Sequence, residues 1–470
     1  MVFSGLPFIF VFLPICILAY FLMPNLKAKN MVLLIASLAF YAIGEPIWVS
    51  LMILSALVNY AAGLIIDKKR GTVYAKAALI FAVVFGIAFL VVFKYLDFLI
   101  QNINTLLPFV RLPLANIALP IGISFFTFQT MSYTIDVYKN TVSVQKNYFT
   151  FLLFVSLFPQ LIAGPILRYS DIALQLENRT TTVPGFCRGI TRFICGCAKK
   201  VLLANTIGEI STLIFTEKYV AENVSVFGVW IGAICLSLQI YFDFSGYSDM
   251  AIGLGYMFGF EYCENFNYPY ISRSVTEFWR RWHISLGSFF RDYVYIPLGG
   301  NRKHQFFNLL VVWSLTGLWH GASWNFVLWG LYYFVFLAIE KFILKRRLEK
   351  IPVLSNILTL IVVVVGWTIF FFEDFGQCIA AIKNMFGFGN VPLWDSTLTT
   401  PIVNNIALLL IGIVACIPIG RIVRNKLESI KESRPTVWFV SNMAYNMILL
   451  FVCTAALVGA SYNPFLYFRF

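Results

Sequence analysis

Val311-Val-Trp-Ser-Leu-Thr-Gly-Leu-Trp-His-Gly-Ala-Ser-Trp-Asn325 lies inside an apolar stretch long enough to cross a bilayer, and it carries one of the chain's three histidines, His320. A titratable side chain in hydrocarbon is costly, so such residues face a bundle interior or a watery cavity. Imidazole also exchanges protons near neutrality. The stretch therefore reads as a membrane helix carrying an intramembrane general base. A packing histidine bonded to a carbonyl is the plainer reading of the same residue. Gly317 and Gly321, four apart, allow close approach of a helix or a ligand, while Trp313, Trp319 and Trp324 surround the imidazole in sequence.

Composition supports the membrane reading across the 470 residues: 60% are hydrophobic, 12% are charged, and the mean hydropathy is +0.80. That is far from the balance of a soluble domain. The formal charge of +13 is spread in short clusters between apolar segments, which is the positive-inside pattern rather than a nucleic-acid footprint. The nine cysteines are scattered, mostly within apolar runs, and Cys195-Gly-Cys197 has no second ligand pair. They read as small buried hydrophobes, and no metal site is expected.

Spanning a bilayer takes roughly 20 apolar residues in a helix. Windows of that kind fall near 5–23, 31–47, 48–66, 77–100, 118–138, 148–167, 186–215, 226–259, 305–338, 353–372, 402–420 and 436–460. The expected fold is all-α: a polytopic membrane helical bundle of about 11–12 spanning or re-entrant helices with a central catalytic tunnel. The first window has no basic start and no small-residue cleavage site, as in a retained first span. With no linker rich in Pro, Gly or Ser, residues 1–470 read as one domain. The clusters Lys27/Lys29, Asp67 to Arg70 with Lys76, Lys139/Lys146, Lys345 to Lys350 and Arg421 to Arg434 mark cytoplasmic ends. Residues 373–401 then lie outside, as does the tail 461–470.

Between about 260 and 304 the chain turns polar but stays aromatic. Ser274 and Glu277 have capping-box spacing. The helix they start carries Phe278, Trp279, Trp282, Leu286 and Phe289 on one face and Arg280, Arg281, Ser288 and Arg291 mainly on the other. Such a helix lies in the interface or dips into a protein-lined funnel. His283 falls at the border of the two faces and is a second candidate, with an interfacial role as its plainer reading. A third constellation, Gln239-Ile-Tyr-Phe-Asp-Phe-Ser-Gly-Tyr-Ser-Asp249, puts two carboxylates at membrane depth. It reads either as a hydrogen-bond network locking helices together or as a proton pathway.

Five strings then carry a resemblance: Asp243-Phe-Ser-Gly-Tyr-Ser-Asp-Met-Ala-Ile252, Asn265-Phe-Asn-Tyr-Pro-Tyr270, Glu277-Phe-Trp-Arg-Arg-Trp-His-Ile-Ser-Leu286, Arg291-Asp-Tyr-Val-Tyr-Ile-Pro-Leu-Gly-Gly300 and Leu318-Trp-His-Gly-Ala322. Together they resemble the membrane-bound O-acyltransferases, in the alginate O-acetyltransferase branch, and the opening Phe3 to Pro24, Ser37-Leu-Ala-Phe-Tyr-Ala-Ile-Gly-Glu-Pro46 and the closing Phe465-Leu-Tyr-Phe-Arg-Phe470 extend the resemblance over nearly the whole chain. The resemblance implies transfer of an acetyl group from a cytoplasmic thioester, acetyl-CoA or a carrier-protein thioester, to an acceptor outside the bacterial cytoplasmic membrane. It matches His320 to the family's catalytic histidine, and His283 to a polar position that other branches fill with Asn, Asp or His.

The residues suit that chemistry. A neutral imidazole can take a proton from an acceptor hydroxyl. An oxyanion needs donors, and the indoles of Trp319 and Trp324, the Asn325 amide and the His283 ring are suitable types. Arg280, Arg281 and Lys303 are candidates for the nucleotide phosphates of coenzyme A, or equally for lipid headgroups. The ending Asn463-Pro-Phe-Leu-Tyr-Phe-Arg-Phe470 resembles the C-terminal acyl-transfer motif of the same branch. Tyr467 is therefore expected to carry the acyl group to a secreted-side SGNH-type acetyltransferase partner acting on a polysaccharide. An aromatic interface anchor is the alternative for this tail. A transporter or flippase subunit is the rival for the whole chain.

Overall fold

The computed structural model describes residues 2–161, 164–215, 224–344, 351–420 and 433–459, together with 422, 423 and 426. All regular structure among the described residues is helical. Seven helices are long and apolar enough to cross a membrane, and Phe8–Leu22 and Ile406–Ala415 are shorter apolar helices. The chain is thus an all-α polytopic membrane protein. Tyr467, the tail 461–470 and the cluster Lys345 to Lys350 lie outside the described residues.

The chain forms two compact units, Met1–Phe193 with Tyr247–Cys263, and Ile194–Gly246 with Glu264–Phe470. In the first, helices α1 (Leu26–Gly44), α2 (Val49–Lys68) and α3 (Ile123–Lys139) frame a core of rings. Phe3 stacks on Tyr247 with centroids 4.6 Å apart, and Phe8, Phe40 and Phe158 close around it. Gly63 of α2 lies under Tyr133 of α3, where a Cβ would sit 2.7 Å from the phenol oxygen. Beside it Thr134 Oγ1 donates to Asn59 Oδ1 at 2.8 Å. Arg192 meets Asp249 at 2.6 Å in this unit.

The second unit holds most of α4 (Val226–Met257). There Lys200 Nζ lies 2.6 Å from Asp243 Oδ1, both side chains 4% exposed. Each carboxylate of the 239–249 stretch therefore meets a base, which favours the locking network over an open proton path.

Two breaks distinguish this unit from the expectation of continuous helices. The window 305–338 is a helical hairpin rather than one span. Helix α7 (Gln305–His320) stops at the histidine, Gly321 is extended, and α8 (Trp324–Leu344) starts after the N-cap Ser323. The amphipathic helix expected from Ser274 to Phe289 is likewise two helices, α5 (Val275–Arg281) and α6 (Ile284–Phe290), with His283 in the left-handed region at φ 44° between them. The start itself is as read: Ser274 caps Glu277 N–H at 3.0 Å. Helix α9 (Pro352–Phe371) packs on α8.

Glycines set the hairpin's closeness. A Cβ on Gly317 would lie 2.3 Å from the Phe326 carbonyl oxygen, and one on Gly330 would lie 2.4 Å from that of Trp313. Backbone meets backbone where α7 and α8 cross, as small residues permit in membrane helices. At the open end Lys341 donates to Asn301 Oδ1 at 2.9 Å, joining the chain before α7 to the last turn of α8. At 1.5 Å per residue the hairpin carries His320 about 24 Å from that end.

Candidate active site

His320 is the last residue of α7 and is buried. Its ring stands edge-on to Trp329 at 5.0 Å, Phe370 at 5.2 Å and Trp319 at 4.9 Å. Three rings, one each from α7, α8 and α9, thus fix the imidazole plane. The C-terminal end of a helix carries partial negative charge that favours a cation, and imidazole becomes a cation when it takes a proton. The break explains how a short apolar string can present a polar ring inside a bundle: the chain ends a helix there.

His283 reaches the same place from α5 and α6. Its ring lies 5.9 Å from Trp319 and 4.7 Å from Phe244. Trp319 therefore stands between the two histidines and touches both. Burial pushes the His283 imidazole down from its usual range to about 3, keeping it neutral. Two anchors hold this segment. Asn265 accepts from Ser285 N–H at 3.1 Å and Ser285 Oγ at 2.9 Å, and its own carbonyl accepts Ile284 N–H at 3.0 Å. The buried carboxylate of Glu340 on α8 accepts from Val275 N–H at 2.5 Å, Thr276 N–H at 2.9 Å and Thr276 Oγ1 at 2.7 Å. An acid at a helix N-terminus satisfies donors that have no partner within the helix.

Buried polar atoms around the two rings have no partner among the described residues: His283 Nε2, Asn325 Oδ1, Trp279 Nε1, Trp329 Nε1 and the Tyr333 hydroxyl. Trp279 packs on Trp329 at 5.4 Å and on Tyr333 at 4.8 Å, so these groups belong to one neighbourhood. Leaving a buried donor or acceptor unpaired costs about 1–3 kcal/mol each. Several together mark a neighbourhood whose polar groups the protein itself leaves unmatched.

The sequence candidates divide. His320, His283, Trp319 and Asn325 come together; the Asn325 amide is tied to the Phe370 carbonyl at 3.3 Å. Trp324 is 58% exposed, unlike the buried Trp319 and Asn325. Arg281 is spent locally, bridging Glu277 at 2.8 Å and the Asn267 carbonyl at 3.1 Å. Arg280 and Lys303 lie exposed. Sequence reasoning missed Asn265, Ser285, Trp329, Tyr333 and Glu340. Asn265 opens one of the strings quoted above, but nothing in the string tells that it reaches a residue 18 positions on. Among the described residues no group of three or more His, Cys, Asp or Glu is placed to hold a metal ion.

An all-helical membrane protein with two buried histidines, each at its own helix break, beside unpaired buried polar atoms has the parts that an intramembrane group-transfer enzyme needs. The chain belongs to the membrane-bound O-acyltransferase family, whose sequence pattern matches residues 137–382, and it is an O-acyltransferase. It is 39% identical to a probable alginate O-acetylase of Pseudomonas putida over 100% of both chains. It is 32% identical to the peptidoglycan O-acetyltransferase of Helicobacter pylori, over 82% of this chain and 80% of that one. With the teichoic acid D-alanyltransferase of Bacillus subtilis it shares 29% identity over 56% of this chain and 69% of the other.

Proposed function

We propose that this enzyme moves an acetyl group from a cytoplasmic thioester, acetyl-CoA or a carrier-protein thioester, across the bacterial cytoplasmic membrane for O-acetylation of an extracellular or periplasmic polysaccharide. The observation that carries the reading is the buried end of α7, where His320 meets Trp319, Trp329 and Phe370 beside unpartnered donors. The relatives support it, since each bears the name of an enzyme that acylates a surface polymer.

In this reading His320 takes the proton of an acceptor hydroxyl as its oxygen attacks the thioester carbonyl. The C–S bond then breaks, and the departing thiolate receives that proton from the imidazolium, returning His320 to neutrality. The indole N–H of Trp329, whose ring packs on His320, is the donor type suited to the oxyanion. The acceptor oxygen is that of Tyr467, and the acyl-tyrosine is handed on the outer side to an SGNH-type acetyltransferase that esterifies the polymer. The exposed Arg280 of α5 and the exposed Lys303, beside the Asn301 that Lys341 bonds, suit the phosphates of the donor.

The deciding experiment is mass spectrometry of the intact purified protein after exposure to labelled acetyl-CoA. Label on the C-terminal peptide of the wild type, absent in His320→Ala and in Tyr467→Phe, is the expected result. Thioester turnover that persists in His320→Ala would overturn the assignment of the base, and label elsewhere than Tyr467 would overturn the acyl-tyrosine.

A further inference from the structure

The Asn265 amide bears on which nitrogen of His283 carries hydrogen. A backbone N–H only donates, so the Asn265 atom 3.1 Å from Ser285 N must be the oxygen. The same oxygen stands 3.2 Å from His283 Nδ1. Two acceptors do not bond, so a hydrogen bond at this contact puts the hydrogen on Nδ1 and, in the neutral ring, leaves Nε2 as a bare lone pair. Nε2 is buried and has no partner among the described residues. Among the described residues Asn265, Ser285, Phe244 and Trp319 stand against the ring, and none of these is charged. The positive φ of His283 is itself a strained placement for a residue with a side chain, and it aims the ring so that Nδ1 meets Asn265.

From this geometry we infer that Asn265 is a positioning residue: it locks His283 as the neutral Nδ1–H tautomer, so that Nε2 serves as a fixed hydrogen-bond acceptor for an N–H or O–H of the bound substrate. The two histidines then divide the work. His320 moves the proton, and His283 holds a substrate donor hydrogen without taking it. The depressed basicity of the buried ring agrees with holding rather than abstraction. The inference rests on the acyltransfer reading only for what the acceptor binds; the tautomer stands on the protein alone.

The test is nitrogen NMR of the full-length protein labelled with 15N-histidine, with the His283 signals assigned by their loss in His283→Asn. The wild type is expected to show a neutral Nδ1–H ring between pH 5 and 8. Asn265→Ala is expected to lose that pattern and to lower kcat by about tenfold or more, as a tautomer error does. Asn265→Asp, whose carboxylate still accepts from Nδ1–H and from Ser285 N–H, is expected to restore the pattern and much of the rate. A wild-type ring carrying hydrogen on Nε2, or an Nδ1–H pattern unchanged in Asn265→Ala, would overturn the inference. If Asn265→Ala does not assemble, the wild-type spectrum and Asn265→Asp decide it. A correct tautomer in a protein that transfers no acyl group would leave the inference standing and remove the proposed function.

Discussion

His283 holds a backbone conformation that few side chains tolerate, at φ 44°. Asn, Asp and His are the non-glycine residues enriched there, the same three types that the family resemblance puts at this position. His283→Asn is therefore expected to unfold near the wild type. His283→Ala should be less stable by about 1–2 kcal/mol, measured by thermal unfolding in detergent. Protonation adds a pH signature. The folded imidazole titrates at about 3, against about 6.5 in the unfolded chain, so the folded state binds fewer protons through that window. The stability that neutral His283 supports is whole above the unfolded value and is lost as pH falls toward 3. His283→Asn should flatten the decline in Tm between pH 6.5 and 4, and any acid limb of the rate profile near neutrality should survive that substitution. At Trp329 the ring and the N–H separate cleanly. Trp329→Phe keeps packing on His320 but removes the donor, and kcat should fall by roughly 10²–10³, with KM for the thioester little changed.

The helices explain why the site was only partly legible. An apolar run is visible in composition, and the lone histidine in it marks the place. The break after His320 is not, because Gly321, Ala322 and Ser323 are small residues that a continuing helix also accommodates. Gly321 is needed for space rather than for its dihedral angle, which is extended: a Cβ there would lie 2.1 Å from the Phe326 ring. Gly321→Ala should displace that ring and with it the end of α7, lowering acyl transfer at least as much as Tm. The break at His283 was hidden for a related reason, since Trp282, Leu286 and Phe289 continue the apolar period across it. Glu340 shows the third limit. Its carboxylate serves the N-terminus of a helix 64 and 65 residues earlier, and no local pattern announces such a partner. Glu340→Ala leaves three donors unmet and should cost about 1–3 kcal/mol for each that water does not reach, seen as earlier thermal unfolding and easier proteolysis near Ser274.

At the scale of the whole chain, class and family were readable because hydropathy and long strings survive any ignorance of packing. Pairing was not. Nothing in the sequence joined Asp243 to Lys200, yet both are buried and 2.6 Å apart. Removing one partner strands a buried charge, so Lys200→Met should cost about 3–5 kcal/mol, and the double variant with Asp243→Leu should recover most of it. Sidedness is open to chemical labelling. Cysteines placed at Arg302 and Lys341, at the open end of the hairpin, should react with an impermeant maleimide from the same side of the membrane. One at the exposed Phe388 should react from the other.

The hairpin also constrains the order in which this protein can be made. Helix α7 reaches about 24 Å, short of the roughly 30 Å hydrocarbon layer, so by itself it is a poor place for the translocation machinery to stop. Only when α8 has been synthesised do Gly317 and Gly330 meet and give α7 a companion. His320 therefore enters the bilayer at the bend of a pair. A nascent chain arrested just after Gly330 should hold α7 loosely, extractable by alkali, whereas one extended past Leu344 should not.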